Sequence, residues 1–394
     1  MQGSMTPAQA AQAAAQQNLA ARALVIQNSV NMFIPVAQGV IPTPVPGAVI
    51  NLNPRYFGLL KRFLLKLSFT VTASTGTQTL GAFGPAAAVD NITMTDTANY
   101  LRHNTSATHL QLVATAKRRR VFGAAFTSDT PFGYGNNFQS VMSAPASIPP
   151  NQTGDVVMYI EIPVAYTDHD LRGAIWLGVT NATMTLSARM NSNMFANSTT
   201  TDATGALYTS SDANNATIGP VTYQLYQNSL DQVPRVQSGA GAGNPILPWQ
   251  DIGTNYMLQT SPFNTPVVNQ DNPFPYPNFR DIMSTMAIFD NAGTLNTGSD
   301  ITTWSLQTAN VVNMLQADPN TVALMTRNII GDDVPPGMYY FDHRHQPIYT
   351  LQFGNLALLL NPSSVTAGAS VTIGLEMLAI AGMITGAGSL AGSP

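Results

Sequence analysis

Asp342, His343, Arg344 and His345 spell "DHRH". Two imidazoles two residues apart on a strand share one face, a spacing that suits a metal ion. No third ligand lies nearby in the sequence, and Arg344 between them works against a cation. The plainer reading is a turn or strand end carrying solvated histidines. A second cluster, "TDHDLR" (167–172), imitates an acid–base set. At a helix start, however, Asp168 and Asp170 serve as capping and dipole partners. The two glutamates, Glu161 and Glu376, both sit inside apolar, strand-like runs, so no local carboxylate pair argues for glycoside hydrolysis. "GAGAGN" lacks the Lys-Ser/Thr signature of a phosphate loop, and no G-x-S-x-G elbow occurs. "DNAGTLNTGSD" (290–300) offers oxygen ligands without the acidic closer of a calcium loop. Absence of cysteine excludes thiolate chemistry and disulfides. These residues assemble no active site, and neither an enzyme nor a cofactor or metal is expected.

One dense run of charge remains, "AKRRRVFG" (116–123), in which Lys117, Arg118, Arg119 and Arg120 supply a quarter of the 16 basic residues. Four adjacent cations can hold phosphates of nucleic acid or lipid headgroups. The alternative is a strand end whose cations pair with aspartates of this chain or of a neighbour. No aromatic stacking platform accompanies the run. The chain's net charge of −4 also lacks the basic excess that coating a polyanion needs. Direct nucleic-acid contact is therefore not expected. The run is a candidate for membrane or inter-subunit contact.

At 394 residues, the chain holds two domains or one large one. Its charged content is 9%, where about 25% is usual, so its polar surface must come from Asn, Gln, Ser and Thr. Such a surface suits large contacts, because few charges are desolvated on burial. No segment reads as a membrane span: "GLLKRFLLKL" (58–67) is short and charged, and 374–392 holds a Glu and five Gly. The start lacks the basic and apolar regions of a secretory signal.

A helix is expected over 7–31, with Thr6 as N-cap and Pro7 at the first helical position. Leu19, Leu24 and Ile26 form an apolar face late in this helix, with Arg22 beside them. These four are candidate membrane or inter-subunit contacts, since a lone Ala/Gln-rich helix needs a partner outside its own domain. Strands follow. "FLLKLSFTVTAS" (63–74) alternates, with Leu65, Leu67, Phe69 and Val71 on one face. "NITMTDT", "LQLVAT", "DVVMYIEIPV", "WLGVTNATMTLSARM" and "IGPVTYQLYQNSL" recur between turn residues, as in a sandwich of jelly-roll type. The four prolines of 40–54 fit edges and turns, and "AYTDHDLRGAIW" (165–176) reads as a helical turn or two. "VQSGAGAGNP" (236–245) is the best linker, and a second set of strands follows it. The stretch 299–331 within that set reads as mostly helical, capped by Ser299 or Asp300.

The phrases "YQLYQNSLDQVP" (223–234), "MSTMAIFDNAGTLNTGSDI" (283–301) and "PPGMYYFDHRHQPIYTLQFGNLALLLNP" (335–362) resemble the major capsid proteins of tectiviruses. So do "FGPA" (83–86) and "APASIPPNQTGDVVMYIEIPVAYTDHDLRGA" (144–174). These viruses are icosahedral double-stranded DNA phages with an internal membrane. The resemblance is weakest over 34–60 and 195–218. It implies a mainly β double jelly roll: a helical arm (1–34), a first jelly roll (35–240), a second (241–380) and a flexible tail (381–394). It further implies a homotrimer with six jelly rolls in a pseudo-hexagonal capsomer. The expected partners are neighbouring capsomers, minor capsid and penton proteins, and the viral membrane at the inner face. The implied location is the virion shell, assembled in the host cytoplasm. The basic run departs from the family pattern, so no role transfers to Arg118, Arg119 or Arg120. A β-sandwich vertex or receptor-binding virion protein is the alternative.

Overall fold

The computed structural model describes residues 6–117, 143–178, 183–200, 203–211, 216–239, 241–264, 266–295, 298–308, 313–331, 335, 337–350 and 356–380. Arg118, Arg119, Arg120 and the tail expected over 381–394 lie outside the described residues.

Two β-sandwiches share one continuous sheet. With strands numbered in chain order, the first outer sheet centres on β3 (Leu59–Ala73). One edge of β3 pairs with β14 (Val221–Asp231), which carries β1 (Val30–Ile41) beyond it; the other edge pairs with β8 (Thr153–Pro163). Two short strands, β9 (Ile175–Trp176) and β13 (Ala216–Ile218), complete it. The alternation expected along β3 is present: Leu65, Leu67, Phe69 and Val71 are all buried. Each such side chain contributes about 1.5–3 kcal/mol.

The shared sheet runs in the order β2 (Val49–Leu52), β10 (Thr185–Met190), β5 (Val89–Thr95), β6 (Leu101–Thr105), β15 (Thr254–Asn264), β23 (Ser370–Ile380), β17 (Asp281–Asp290) and β20 (Met338–Asp342), with β21 (Ile348–Tyr349) also on β17. Its first half faces the β3 sheet across one apolar cluster: Phe63 and Ile160 meet Ile92, Met94 and Leu186. Its second half faces an outer sheet of β16 (Asn272–Pro275), β22 (Leu356–Pro362), β18 (Ile301–Thr308) and β19 (Asn313–Ala317). There Phe289, Val371 and Ile373 pack on Trp304, Leu306 and Leu358. A small sheet of β11 (Phe195–Asn197), β12 (Tyr208–Ser210), β4 (Gln78–Leu80) and β7 (Ser147–Ile148) flanks the first sandwich.

The halves of the shared sheet join where β6 and β15 run parallel, His103 opposite Leu258 and Asn104 opposite Gln259. Consequently β17 is buried on both faces. Ala287 and Phe289 enter the second core while Met286 and Ile288 pack toward the first sandwich. Between the lobes lies α2 (Ala107–Lys117). It contains "LQLVAT", which reads as a strand because burial all round erases the helical period. Ser106 starts the helix by accepting from the His109 amide.

Other elements also differ from expectation. The arm helix α1 spans Pro7–Asn28 with the expected Thr6 N-cap, to which Gln9 adds a capping box. Val30 to Ile34, inside the expected arm, already pair with β14. Residues 299–331 hold two strands before α4 (Pro319–Ile330); the β-branched and aromatic run Ile301–Trp304 favours a strand. Asp318, not Ser299 or Asp300, caps α4 by accepting from the Asn320 and Thr321 amides, and Gly331 closes it at φ 87°. In the 165–176 stretch, bends and a turn lead into β9 in place of the expected helical turns. Thr167 Oγ1 accepts from the His169 and Asp170 amides, and Gly173 takes φ 90°.

Candidate functional site

Two polar assemblies stand out, and they lie at or near one end of the sandwiches. Strand register identifies that end. It gathers Val30 and Asp231, Leu59 and Trp176, Thr254 and Ile380, and Asp281 and Tyr349. Because α1 runs directly into Val30, this is the arm end.

The first assembly seats the arm. The short helix α3 (Trp249–Ile252) places the buried Asp251 against α1. Asn18 Nδ2 donates to its Oδ1 at 2.8 Å, and Arg22 donates to both carboxylate oxygens, Nε to Oδ2 and Nη2 to Oδ1, at 2.5 Å each. Asn18 Oδ1 accepts from the Gln250 amide at 3.0 Å, and Asp170 adds a 3.6 Å ion pair to Arg22. The Asp251 hydrogen bonds hold the Arg22 guanidinium above its ordinary pKa, against the opposing effect of burial. Only one apolar residue of α1, Val25, is fully buried, among Leu59, Leu171, Leu230 and Leu247. Ile26 packs at the margin of this cluster, while Leu19 and Leu24 remain 55% and 37% exposed. Arg22, expected as an outward contact, thus serves an intrachain ion pair. The helix also has a seat on its own chain, contrary to the expectation that it packs only elsewhere.

The second assembly joins the lobes. Glu376, fully buried on β23, accepts from Lys117 Nζ at 2.7 Å, Tyr256 OH at 2.8 Å and Ser284 Oγ at 2.6 Å. Lys117 also donates to the Tyr166 carbonyl at 2.9 Å and sits 4.3 Å from the ring centres of Tyr166 and Tyr256. Burial lowers the Lys117 pKa despite the Glu376 charge. Burial would raise the Glu376 carboxyl, but Lys117, Arg344 and the Ser284 hydrogen bond together hold it below the usual range. Lys117 is thereby corrected as a candidate contact for membrane or neighbour: its ammonium is enclosed with a carboxylate of the same chain. Nearby, His103 donates from Nε2 to the Pro163 carbonyl and accepts at Nδ1 from the Leu258 amide. Burial pushes His103 down to about 4, so it stays neutral at pH 7.

The remaining candidates do not converge. Arg344 turns back on Asp342 at 2.7 Å, His345 is exposed, and burial pushes His343 down to about 4. Asp170 is paired with Arg172, and Asp168 with Lys61 and Arg62. Among the described residues, no three of His, Asp and Glu gather as a metal set. No described helix is long and apolar enough to cross a membrane. Sequence reasoning missed Asp251 and Asn18, since single polar residues in "PWQDI" and "QQNLA" carry no pattern. Glu376 was visible as an acid in an apolar strand, but its partner Lys117 was hidden within the basic run.

Comparison with known proteins agrees with this architecture. Family models described as P3 major capsid protein N-terminal and C-terminal match residues 2–233 and 253–392. The chain is 35% identical to major capsid protein P3 of Enterobacteria phage PRD1, over 98% of both sequences. The STIV MCP crystal structure superposes with a TM-score of 0.63 at 11% identity, covering 89% of this chain and 97% of that one. A chain of the PBCV-1 virus capsid superposes at 0.50 with 9% identity, covering 90% and 96%. The last two establish likeness of fold.

Proposed function

This chain belongs to the P3 major capsid protein family, and we propose that three copies form a pseudo-hexagonal capsomer of an icosahedral shell. The observation that carries this reading is the shared sheet. By passing through both sandwiches at β6 and β15, it holds two similar blocks side by side in one chain. Three such rigid pairs around an axis present six blocks, as closed cyclic symmetry requires. Residues 35–240 and 241–380 are the two jelly rolls and 1–34 the arm, whose last residues, from Val30, already pair within the first sheet; 381–394 are a tail.

The arm end faces inward, toward an internal membrane of a double-stranded DNA phage. Leu19 and Leu24 are the arm's outward contacts there, joined by Arg118, Arg119 and Arg120 as candidates for lipid or a neighbouring capsomer. Minor capsid and penton proteins are further partners, the genome is not touched directly, and assembly takes place in the host cytoplasm. The role is structural, with no turnover of substrate. Sedimentation of the purified protein tests the core of this reading. A trimer mass is expected, and a stable monomer at micromolar concentration would overturn it.

A further inference from the structure

A crevice of about 460 Å³ opens at the end of the molecule opposite the arm. It lies where β6 and β15, parallel over two residue pairs, part company: β6 gives way to α2 at Ser106, while β15 continues through Thr260 and Pro262. The space beyond the carboxyl ends of parallel strands, where the chain leaves in different directions, is where open sheets hold ligands. Thr372 of β23 lines the same crevice and stands opposite both Pro262 and Ile288, far from Thr254, Ile380 and Asp281 at the arm end. The lining is held in place from within. The Thr105 and Thr260 hydroxyls bond each other at 2.8 Å, and Asn191 Nδ2 donates to the Ala87 and Gly205 carbonyls at 2.7 Å each.

What the crevice offers is unused hydrogen-bonding capacity. Asn104, Thr108 and Thr372 line it and make no side-chain hydrogen bond among the described residues, although Thr108 is only 6% exposed. Asn91 accepts at Oδ1 from Thr93, which leaves its amide nitrogen unused, and Arg189 commits Nε to Asp90 at 2.7 Å but neither Nη. None of these groups is sealed from solvent, so each is satisfied by water until a ligand replaces it. Carboxamides and hydroxyls both donate and accept, as the hydroxyls of a sugar ring do. Asp90 cancels the charge of Arg189, so the start of α2 gains no net positive neighbour that would favour a phosphate or carboxylate. Phe83, Pro262 and Ile288 supply apolar surface for the C–H face of a ring, and the volume falls within the range of small-ligand sites, about 300–1,000 Å³. We infer that this crevice binds a neutral saccharide. The site lies within one chain and goes beyond the capsomer reading, on which only its outward direction depends.

Fluorescently labelled native protein on an array of neutral hexose, deoxyhexose and N-acetylhexosamine oligosaccharides tests it, followed by calorimetric titration of the best-bound sugar. At least one sugar should bind with a Kd of about 1 mM or tighter. Asn104→Ala and Thr372→Val should each weaken that binding about threefold to tenfold, the loss of a hydrogen bond or two between uncharged groups, and the two together should weaken it further. Asn104 is exposed and Thr372 half-buried, so both variants should fold, which circular dichroism checks; Asn104→Ala alone decides if Thr372→Val does not fold. Silence across the array overturns the inference. So does a sugar whose affinity neither change alters, since it then binds elsewhere. Inorganic phosphate bound in place of any sugar, and released by Arg189→Gln, would assign the crevice to an anion and equally overturn it. None of these results bears on the trimer mass, which sedimentation decides separately.

Discussion

Replacing Lys117 by Met removes the ammonium from a fully buried carboxylate, and its consequences can be worked through. Glu376 keeps its hydrogen bonds from Tyr256 and Ser284 but loses the nearest of the two cations that hold its pKa down. Breaking a buried pair from one side costs about 3–5 kcal/mol, because the remaining charge is uncompensated. The retained hydrogen bonds place the expected loss near the lower figure, about 3 kcal/mol at pH 7.5. The pH dependence follows from the sign of each shift. In the native protein, Glu376 is depressed below its unfolded value, so its contribution is present above that value, 4.5, and lost as pH falls through the folded pKa. In the variant, burial without Lys117 raises the carboxyl instead. Its penalty is greatest at neutral pH and is relieved as pH falls through the raised value. The gap between native protein and Lys117→Met should therefore shrink steadily from pH 7.5 to pH 4.5. Urea unfolding of the assembled protein, followed by tryptophan fluorescence across that range, measures it. Lys117→Met with Glu376→Gln should be more stable than Lys117→Met alone, since no naked charge remains. A gap that stays constant with pH, or two changes that simply add, would refute the buried pair as the bond between the lobes.

Asp251→Asn should free the arm while the sandwiches stay folded, because it weakens the bidentate Arg22 pair; trypsin should then cut after Arg22 at least about tenfold faster. Leu19→Asp with Leu24→Asp should leave the thermal midpoint within about 2 °C of the native value, both residues being exposed, yet reduce shell assembly seen by electron microscopy. Gly58→Ala should fail to give soluble protein or lower the midpoint by more than about 5 °C. Gly58 has φ 62°, and an added Cβ would press on the Leu230 carbonyl.

How much was legible in advance depended on whether a residue's environment left a local trace. Leu65, Leu67, Phe69 and Val71 alternate because one face of β3 meets the core and the other does not. The Thr6 cap is equally local. By contrast, α2 is enclosed between lobes, so Leu110, Leu112 and Val113 are buried together and no helical period survives. At 299–331, the decisive signal was Asp318-Pro319 with Gly331, a cap pair bracketing α4, while the preceding residues favoured a strand. The polar sites are long-range by nature. Asn18 meets Asp251 across 233 positions, and Lys117 at the end of α2 meets Glu376 on β23, the last strand. The four-residue basic run looked like one unit, yet its first member points inward to a partner that no sequence pattern names.

That division bears on why a charge-poor chain places charge in its interior at all. Apolar contact between lobes is non-directional: the Met286 and Ile288 face of β17, which joins the apolar cluster of the first sandwich, would pack nearly as well after a small slip. The pairs at the seam do not tolerate such a slip. His103 uses one ring nitrogen for each lobe, donating to Pro163 and accepting from Leu258, and Glu376 gathers donors from α2, β15 and β17 at once. Gly374 on β23 lies so close to His109 that an added Cβ would stand 2.9 Å from the ring, fixing the separation as well as the register. A shell subunit repeats its geometry in every copy, so a small error in lobe orientation would recur at every contact. Apolar burial thus supplies the bulk of the stability, and a few enclosed polar pairs select one of the arrangements that burial alone would allow.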